Sequence, residues 1–544
     1  MMFVSFSAVG QVIPPSEQPG REQQRFNEPI APRAQPGGGA ITLPSTVAPL
    51  GAGETSVVIR DIRITGSTIY SANDFRPLYQ DLLGKKVALQ AVYDLARKIT
   101  ARYGTNGYVL SRAIVPPQQL DPKGAVIKIQ IIEGYVDKVE WPKKLSRYRD
   151  FFSDYAAKIQ AQRPANIRTI ERYILLAGDL PGLKFATNLR ASTDNPAAST
   201  LVVEVIEKPI DANGRVDNRG TKARGPIQYL ASASINNLFG QHEALTVSWA
   251  AVQPIHELQY FSANYRQVLT SEGLTFFADA SNSWGRPGTA QLELLDFRTR
   301  GTAFDAGLAY PIIRSREANL TILGLAFASD NHSDILSAPL NEDKLRGGRA
   351  KIDADIADAL QGINQFNLTF SQGIRGLGSS DNGNPLASRA AGRVDFNKIE
   401  GSANRTQPLF GSFSAYLAGY GQYAFTPLLS PEQCGYGGRF FGRAFDPSQL
   451  LGDSCIQALG ELRYDFQMLS ANGSQYQIYG FSDWGYLTTR DAAVGTAAHV
   501  QGASVGGGAR LGYLDTIKID LQAAKGIEGP RDDWRFFFSV TARY

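Results

Sequence analysis

The chain alternates between apolar and polar residues from about residue 209 to its last residue, and this pattern restricts the fold most. Within the segment 350–356, for example, Ala and Ile residues alternate with Lys351, Asp353 and Asp355. A period of two residues is typical of β-strands whose two faces meet different surroundings. About 16 such segments of roughly 10 residues follow one another, and helical spacing is missing from this part of the chain. Residues 209–544 are therefore predicted to be antiparallel β-structure with no helix among the strands.

A soluble sandwich and a membrane barrel both alternate in this way. A packed sandwich interior would not tolerate Lys351, Asp353 and Asp355 on one face, whereas a water-filled lumen would. Segments of about 10 residues also match tilted membrane strands. Aromatic residues lie near segment ends, as at the two membrane interfaces: Tyr265, Tyr310, Trp484, Tyr486, Trp534 and Tyr544. An open sheet edge would leave backbone groups unsatisfied in lipid, so a closed 16-stranded transmembrane β-barrel with an open or plugged channel is predicted.

Composition excludes several other classes of protein. The 544 residues are 19% charged and contain no run of about 18 apolar residues, which excludes a membrane protein built from helices. The formal net charge is only +4, so we expect no nucleic-acid partner. Gly506-Gly507-Gly508 has no helix after it and is not a phosphate-binding loop. Four histidines have no metal-ligand spacing: His242, His256, His332 and His499. We expect no metal, no cofactor and no enzymatic activity.

Residues 56–134 and 135–208 have one pattern in common. Each is predicted to form a strand, two helices and two strands, with a repeat of about 75 residues. Val92, Leu95 and Ile99 lie at helical spacing in the first module. Residues 56–208 are therefore predicted to form two tandem α+β modules of order β-α-α-β-β.

The N-terminal residues are predicted to belong to no compact module. Residues 1–10 are apolar, end in small residues and are interpreted as the remnant of a signal peptide whose charged start is missing. Residues 11–55 are rich in Pro, Gly, Gln and Ala and are typical of a linker. Ser16–Asn27 could form a polar helix there, which would need a docking site because a free helix of that length is marginal in water.

Short motifs add to this organisation. They are Tyr103–Leu110 with Val115–Gln118 in the first module, Ile170–Arg172 with Gly178–Gly182 in the second, and Asp217–Gly220 at the start of the barrel. Together with the domain order they resemble the TpsB transporters of two-partner secretion, which export haemolysins and filamentous adhesins. The resemblance implies two periplasmic POTRA domains, a 16-stranded outer-membrane barrel and a short N-terminal helix that plugs the resting pore.

The strongest resemblance lies between Cys434 and Ser474. Gly442-Arg443-Ala444-Phe445-Asp446 resembles the family's Val-Arg-Gly-Tyr/Phe tip of a long extracellular loop that folds back into the lumen, here residues 430–455. Glu461 and Arg463 follow, as in the family, and are expected to be supporting lumenal residues. Ala444 stands where the family has glycine, so the tip is expected to bend differently.

A strand motif matches the partner of this loop. Phe481-x-Asp483-x-Gly485 resembles the family's Phe-x-Asp-x-Gly, and the strand period puts its residues on the face opposite Trp484 and Tyr486. The resemblance implies that Asp483 points into the lumen and meets Arg443 in a charge-assisted hydrogen bond. Gly485 would leave room for the loop.

Cys434 and Cys455 are the only cysteines of the chain. One close pair is typical of an oxidising compartment, although two reduced thiols remain the alternative. A disulfide would enclose the loop tip and contribute about 3 kcal/mol through loop-closure entropy.

The final strand carries a further signal. Phe538, Val540 and Tyr544 lie on one face and resemble the signal read by the barrel-assembly machinery, which would act during biogenesis; they also suit an aromatic girdle.

These observations predict a monomeric translocator in the bacterial outer membrane, in contact with lipid and lipopolysaccharide. It would secrete a large exoprotein of the TpsA type without ATP, with the POTRA domains capturing the substrate by strand addition and the barrel acting as the gated pore. One alternative is a barrel-assembly insertase that binds strands at a seam between Ile210–Val216 and Trp534–Tyr544. Another is a passive porin-like channel.

Overall fold

The computed structural model describes residues 14–26, 31–36, 48–121, 123–143, 145, 149–192, 195–466, 474–493, 496–514 and 516–544. The predicted signal-peptide remnant, residues 1–10, lies outside the described residues. The chain divides into two compact units. One comprises residues 37–207 and 270–272, and the other comprises residues 1–36, 208–269 and 273–544. No helix of the described ranges is long and apolar enough to cross a membrane.

The N-terminal segment contains a 3-10 turn at Pro15–Glu17 and a short helix, α1 (Glu22–Phe26). Sequence reasoning predicted one polar helix over Ser16–Asn27. The helix is broken because Gly20 adopts a φ of +85°, and Pro19 before it lacks a backbone donor.

The first module forms a four-stranded sheet of order β2-β1-β4-β3 with two helices. Its elements are β1 (Ser56–Thr65), α2 (Ala72–Tyr79), β2 (Lys86–Ala88), α3 (Gln90–Thr105), β3 (Arg112–Ile114) and β4 (Ala125–Ile132). The short β2 was not predicted, because three residues carry no periodic signal. Val92, Leu95 and Ile99 of α3 are fully buried in one apolar core with Ile127 and Ile129 of β4, as their spacing predicts.

The second module has the predicted order of elements. These are β5 (Tyr135–Glu140), α4 (Arg149–Ala161), α5 (Ile167–Gly178), β6 (Leu183–Ala191) and β7 (Ala198–Glu207). Its sheet has the order β5-β7-β6, with β5 and β7 parallel. The side chain of Asn166 caps α5 by accepting a hydrogen bond from the backbone N–H of Arg168.

The remaining strands form a closed antiparallel barrel of 16 strands, which confirms the predicted fold. They are β8 (Ile210–Asp217), β9 (Ile227–Asn236), β10 (Glu243–Gln253), β11 (Gln259–Val268), β12 (Thr275–Gly285), β13 (Arg298–Arg314), β14 (Ala318–Ile335), β15 (Ala338–Ala357), β16 (Ile363–Gly373), β17 (Asn397–Pro408), β18 (Phe413–Ala424), β21 (Ser454–Asp465), β22 (Ser474–Thr488), β23 (His499–Tyr513), β24 (Ile517–Glu528) and β25 (Trp534–Arg543). The loop between β18 and β21 adds a small hairpin of β19 (Cys434–Tyr436) and β20 (Leu450–Gly452).

The alternation separates the two faces of the barrel wall. Ile352 and Ile356 of β15 are 44% and 41% exposed on the outer face, opposite the charged residues of the same strand.

Two features of the barrel differ from the predictions. Strands β13 to β15 have 17 to 20 residues rather than about 10, and a short helix, α6 (Ala290–Leu294), lies in the connection between β12 and β13.

Candidate functional site in the barrel lumen

The connection between β18 and β21 folds into the barrel lumen. Tyr436, Ala444 and Phe445 of this lumenal loop are at most 2% exposed, and Arg443 is 7% exposed. Positive φ angles at Gly437, Gly438 and Gly442 allow the chain to reverse at the tip. Ala444 does not adopt a positive φ, so the alanine in place of the family's glycine causes no backbone strain.

Asp483 of β22 binds the tip of the lumenal loop. It is 2% exposed, and its carboxylate accepts hydrogen bonds from Tyr436 Oη (2.5 Å) and from the backbone N–H of Gly442 (3.0 Å). The backbone N–H of Arg443 (3.2 Å) and the hydroxyl of Ser504 (2.8 Å) complete the set. The three donors that belong to the lumenal loop hold its tip against the wall through this one buried carboxylate.

Gly485 makes this approach possible. A Cβ atom at this position would lie 2.4 Å from Cδ2 of Tyr436, so any side chain would displace the tyrosine. Trp484, in contrast, is 38% exposed on the outer face of the barrel, as the strand period predicts.

The expected side-chain contact between Arg443 and Asp483 does not form. The guanidinium instead donates to Oε2 of Glu461 (2.6 Å) and lies 4.6 Å above the ring of Phe481. Asp483 meets only the backbone N–H of Arg443, and its other hydrogen bonds come from Tyr436, Gly442 and Ser504. Sequence reasoning could name both charges but could not decide between two inward-facing acids on neighbouring strands.

Glu461 is the centre of a charge cluster. Its carboxylate is fully buried and also accepts from Arg463 Nε (2.6 Å) and Arg510 Nη1 (2.7 Å). Sequence reasoning included Glu461 and Arg463 but missed Arg510, whose only signal was its inward position on β23. Three arginines on one carboxylate offset the cost of burying that charge.

The structure joins Cys434 and Cys455 in a disulfide. Their Cα atoms are 6.5 Å apart, and their sequence separation is 21. Cys434 belongs to the loop hairpin and Cys455 to the wall strand β21, so the bond links the base of the lumenal loop to the barrel.

The N-terminal segment also lies in the lumen. Glu17 is fully buried, and its carboxylate forms an ion pair with Arg224 (2.5 Å) and accepts from Thr221 Oγ1 (3.0 Å). Arg21 Nη1 donates to the carbonyl groups of Ser430 (2.9 Å) and Gln433 (3.0 Å). The segment therefore contacts both the connection between β8 and β9 and the lumenal loop.

Further contacts involve the residues after α1. The backbone N–H groups of Arg33 (3.1 Å) and Ala34 (2.5 Å) both donate to Oδ2 of Asp355 on β15. The backbone N–H of Gln35 donates to the backbone carbonyl of Arg316 at 2.8 Å. Sequence composition, which indicated only a linker, gave no signal for this docking.

Glu432 of the lumenal loop binds the wall strands β15 and β17, on the side of the lumen away from Asp483. This buried carboxylate pairs with Arg349 of β15 (2.7 Å) and Lys398 of β17 (2.9 Å). The loop is therefore held by ionic contacts on two sides of the lumen.

The last strand places the proposed assembly signal on the outer face. Val540 is 38% and Tyr544 80% exposed, Phe538 is half-buried on the same face, and the neighbouring Phe537 is buried. The backbone of Tyr544 pairs with Ala212.

Within the described ranges no group of three or more His, Cys, Asp or Glu residues could hold a metal ion.

Two family models match the chain. The model of the haemolysin secretion/activation protein ShlB/FhaC/HecB matches residues 198–509, more than half of the chain. The model of the ShlB-type POTRA domain matches residues 57–134.

Individual proteins and structures are similar over most of their length. The outer membrane transporter CdiB of Dickeya dadantii (strain 3937) is 24% identical over 82% of this chain and 79% of that protein. The heme/hemopexin transporter protein HuxB of Haemophilus influenzae (strain 86-028NP) is 21% identical over 84% and 81%. The solved structure of CdiB from Escherichia coli aligns over 100% of both chains with a TM-score of 0.70 at 17% identity. CdiB from Acinetobacter baumannii gives 0.61 at 17% identity over 96% and 95%.

Proposed function

Because the chain belongs to the ShlB/FhaC/HecB family of haemolysin secretion/activation proteins, we propose that its lumenal loop and N-terminal segment together form the gate of its pore. The protein is an outer-membrane transporter of two-partner secretion with POTRA modules in the periplasm. We propose that its partner is a large exoprotein of the TpsA type, as membership of this secretion family implies. The family consists of transporters, and we propose no catalytic activity.

The observation that carries the gate is a chain of buried contacts across the lumen. Glu17 pairs with the wall at Arg224, Arg21 donates to the carbonyl groups of the lumenal loop, and the loop binds Asp483 on the far wall. Removing one member leaves buried polar groups of the others unpaired, which is costly. The contacts therefore favour a closed lumen, and an exported chain must supply the free energy that breaks them.

The POTRA modules are the proposed entry point. Each sheet ends in edge strands, β2 and β3 in the first module and β5 and β6 in the second. Such edges offer backbone groups to an extended peptide by strand addition. Because the periplasm lacks ATP, we propose that folding of the substrate outside the cell biases the direction of transport.

Biogenesis would depend on the barrel-assembly machinery, which would recognise Phe538, Val540 and Tyr544. The mature protein would act as a monomer in lipid and lipopolysaccharide.

The gate is tested by single-channel conductance in planar bilayers. The intact protein is compared with a deletion of residues 14–26, with Asp483→Ala and with the control Asp353→Ala. Asp353 is a lumenal carboxylate bonded to Asn367 of the wall, away from the loop. We expect the intact protein and the control to be mostly closed, and the other two variants to open at least several-fold more often. Steady, equal conductance of all four proteins would overturn the gate and favour a passive channel.

One observation keeps the insertase as a second candidate. Strands β25 and β8 pair at five positions, Ser539↔Asp217 to Arg543↔Asn213, fewer than any other neighbouring strands of the described barrel. A short seam is the place where a barrel of this kind would open sideways.

A further inference from the structure

A cavity of about 710 Å³ lies in the lumen between the wall, the lumenal loop and the N-terminal segment. Eight arginines among its described lining residues face only three carboxylates, Glu22, Glu400 and Asp520. A buried excess of positive charge is unfavourable unless carboxylates or bound anions compensate it.

Several of the arginines have carboxylate partners outside the lining. Arg224 pairs with Glu17, while Arg443, Arg463 and Arg510 all converge on Glu461. Arg510 also pairs with Asp520 of the lining at 3.5 Å, so these three guanidinium groups share two carboxylates and this side of the cavity stays positive.

Arg219, which follows the first barrel strand, differs from these arginines in its partners. Its side chain forms no ion pair with any carboxylate in the parts of the chain that the structure describes, although the residue is only 9% exposed. Its Nη2 donates to the neutral amide oxygen of Gln522 at 2.7 Å, and its guanidinium stacks 4.3 Å from the ring of Phe537. The nearby carboxylate of Asp217 is engaged by Arg215 Nε (3.0 Å) and by the backbone N–H of Arg219 (3.0 Å).

Arg219 nevertheless carries its charge at neutral pH. Burial, together with repulsion from Arg439, lowers the pKa of Arg219 to about 10, which is still well above 7. Arg439 and Arg443 of the lumenal loop line the same cavity, so three positive groups converge from the wall and the loop.

We propose that this cavity is an anion-binding site, in which a carboxylate or phosphate group is held between Arg219 of the wall and Arg439 and Arg443 of the lumenal loop. The planar guanidinium groups match both anions in bidentate geometry. A bound anion joins the loop to the wall and stabilises the closed lumen. Two sources can provide this chemistry: a free inorganic anion, or acidic side chains of the exported polypeptide. The second source depends on the transport function, whereas the site itself does not.

The first test measures binding by thermal unfolding of the full chain in a non-ionic detergent. Pyrophosphate is titrated at constant ionic strength against chloride, with Arg219→Gln, Arg439→Gln and Arg219→Lys as variants. Arg375→Gln is the matched control, because Arg375 is exposed in an extracellular loop and pairs with Asp395. We expect pyrophosphate to stabilise the wild type and the control saturably. In both cavity Gln variants its affinity should be weaker by at least about 10-fold. Arg219→Lys should retain an intermediate affinity. Equal responses of the wild type and both Gln variants, or no saturable response at all, would overturn the site.

A second titration, with a deca-glutamate peptide, separates the sources. Saturable stabilisation that depends on Arg219 assigns the site to carboxylates of a polypeptide as well as to free anions. A response to pyrophosphate alone assigns it to inorganic anions. Because this assay measures binding and not conductance or export, its failure leaves the gate unaffected, and a failed conductance experiment leaves the anion site unaffected.

Discussion

Arg443 holds the loop tip through two different groups. Its backbone N–H contacts Asp483, while its guanidinium pairs with Glu461 and stacks on Phe481. The two acids therefore depend on this residue in different ways. A change of side chain at position 443 removes the Glu461 contact but leaves the backbone contact to Asp483 in place.

This division predicts the result of two double-mutant cycles. The pair Arg443→Ala and Glu461→Gln should show a coupling free energy of about 1.5 kcal/mol or more, as close buried charge pairs do. The pair Arg443→Ala and Asp483→Asn should couple by less than about 0.5 kcal/mol, since no side-chain contact is shared. Both values come from the free energy of unfolding in detergent. Strong coupling of Arg443 to Asp483 instead would contradict the geometry.

Glu257, in the extracellular turn Ile255–Glu257, gives the gate region a pH dependence. It is 8% exposed, and its Oε2 has no hydrogen-bond partner among the described residues. Burial, and after it repulsion from Glu293 and Glu17, raises the pKa of Glu257 above its usual value. A carboxyl group whose pKa is raised by folding loses stability as the pH rises through the folded-state pKa, and this loss is absent below the unfolded value of about 4.3.

Glu257→Gln, which stays neutral, should therefore melt at a higher temperature than the wild type at pH 7.5. The difference should shrink on acidification and disappear by about pH 4, where both side chains are uncharged. Thermal unfolding of both proteins between pH 4 and 7.5 measures it. A difference that does not change with pH would show that the substitution acts through packing and not through charge.

At the level of elements, the disulfide links the loop hairpin β19–β20 to wall strand β21 and encloses the tip. A ring of this length restricts the unfolded loop and contributes about 3 kcal/mol. Reduction of the wild type should lower the melting temperature and speed hydrogen exchange of the tip amides 437–449. The double variant Cys434→Ser and Cys455→Ser should have the melting temperature and exchange rates of the reduced wild type, and reductant should change neither. Identical melting of oxidised and reduced wild type would show that the bond does not hold the loop.

Sequence reasoning predicted elements better than contacts between elements. The second module has the same order of one strand, two helices and two strands in prediction and structure, because turn residues and periodicity act locally. The partner of Arg443 could not be read in this way, since Glu461 and Asp483 lie on paired strands and both face inward. The docking of Ala34 on Asp355 was also missed, because backbone N–H groups leave no trace in the side-chain pattern.

For the whole molecule, two exit routes make opposite predictions: substrate passes through the lumen, or it leaves sideways at the short seam between β25 and β8. A disulfide across register partners Ala542 and Gly214 would lock that seam, because directly paired strand residues lie within bridging distance. Ala542→Cys with Gly214→Cys is compared with Gly214→Cys and Ala231→Cys, which joins β8 to β9 at the other register partner of the same glycine.

Transport through the lumen predicts that both locked proteins export the cognate exoprotein at nearly the wild-type rate, because strand pairs that stay closed need not part. Export is measured as exoprotein in the medium, with and without reductant, and bridge formation is checked by electrophoretic mobility. If the seam lock stops export, the control lock does not, and reductant restores it, the substrate leaves through the seam. The barrel would then act in the manner of an insertase, and the lumenal loop would regulate a lateral opening and not a central pore.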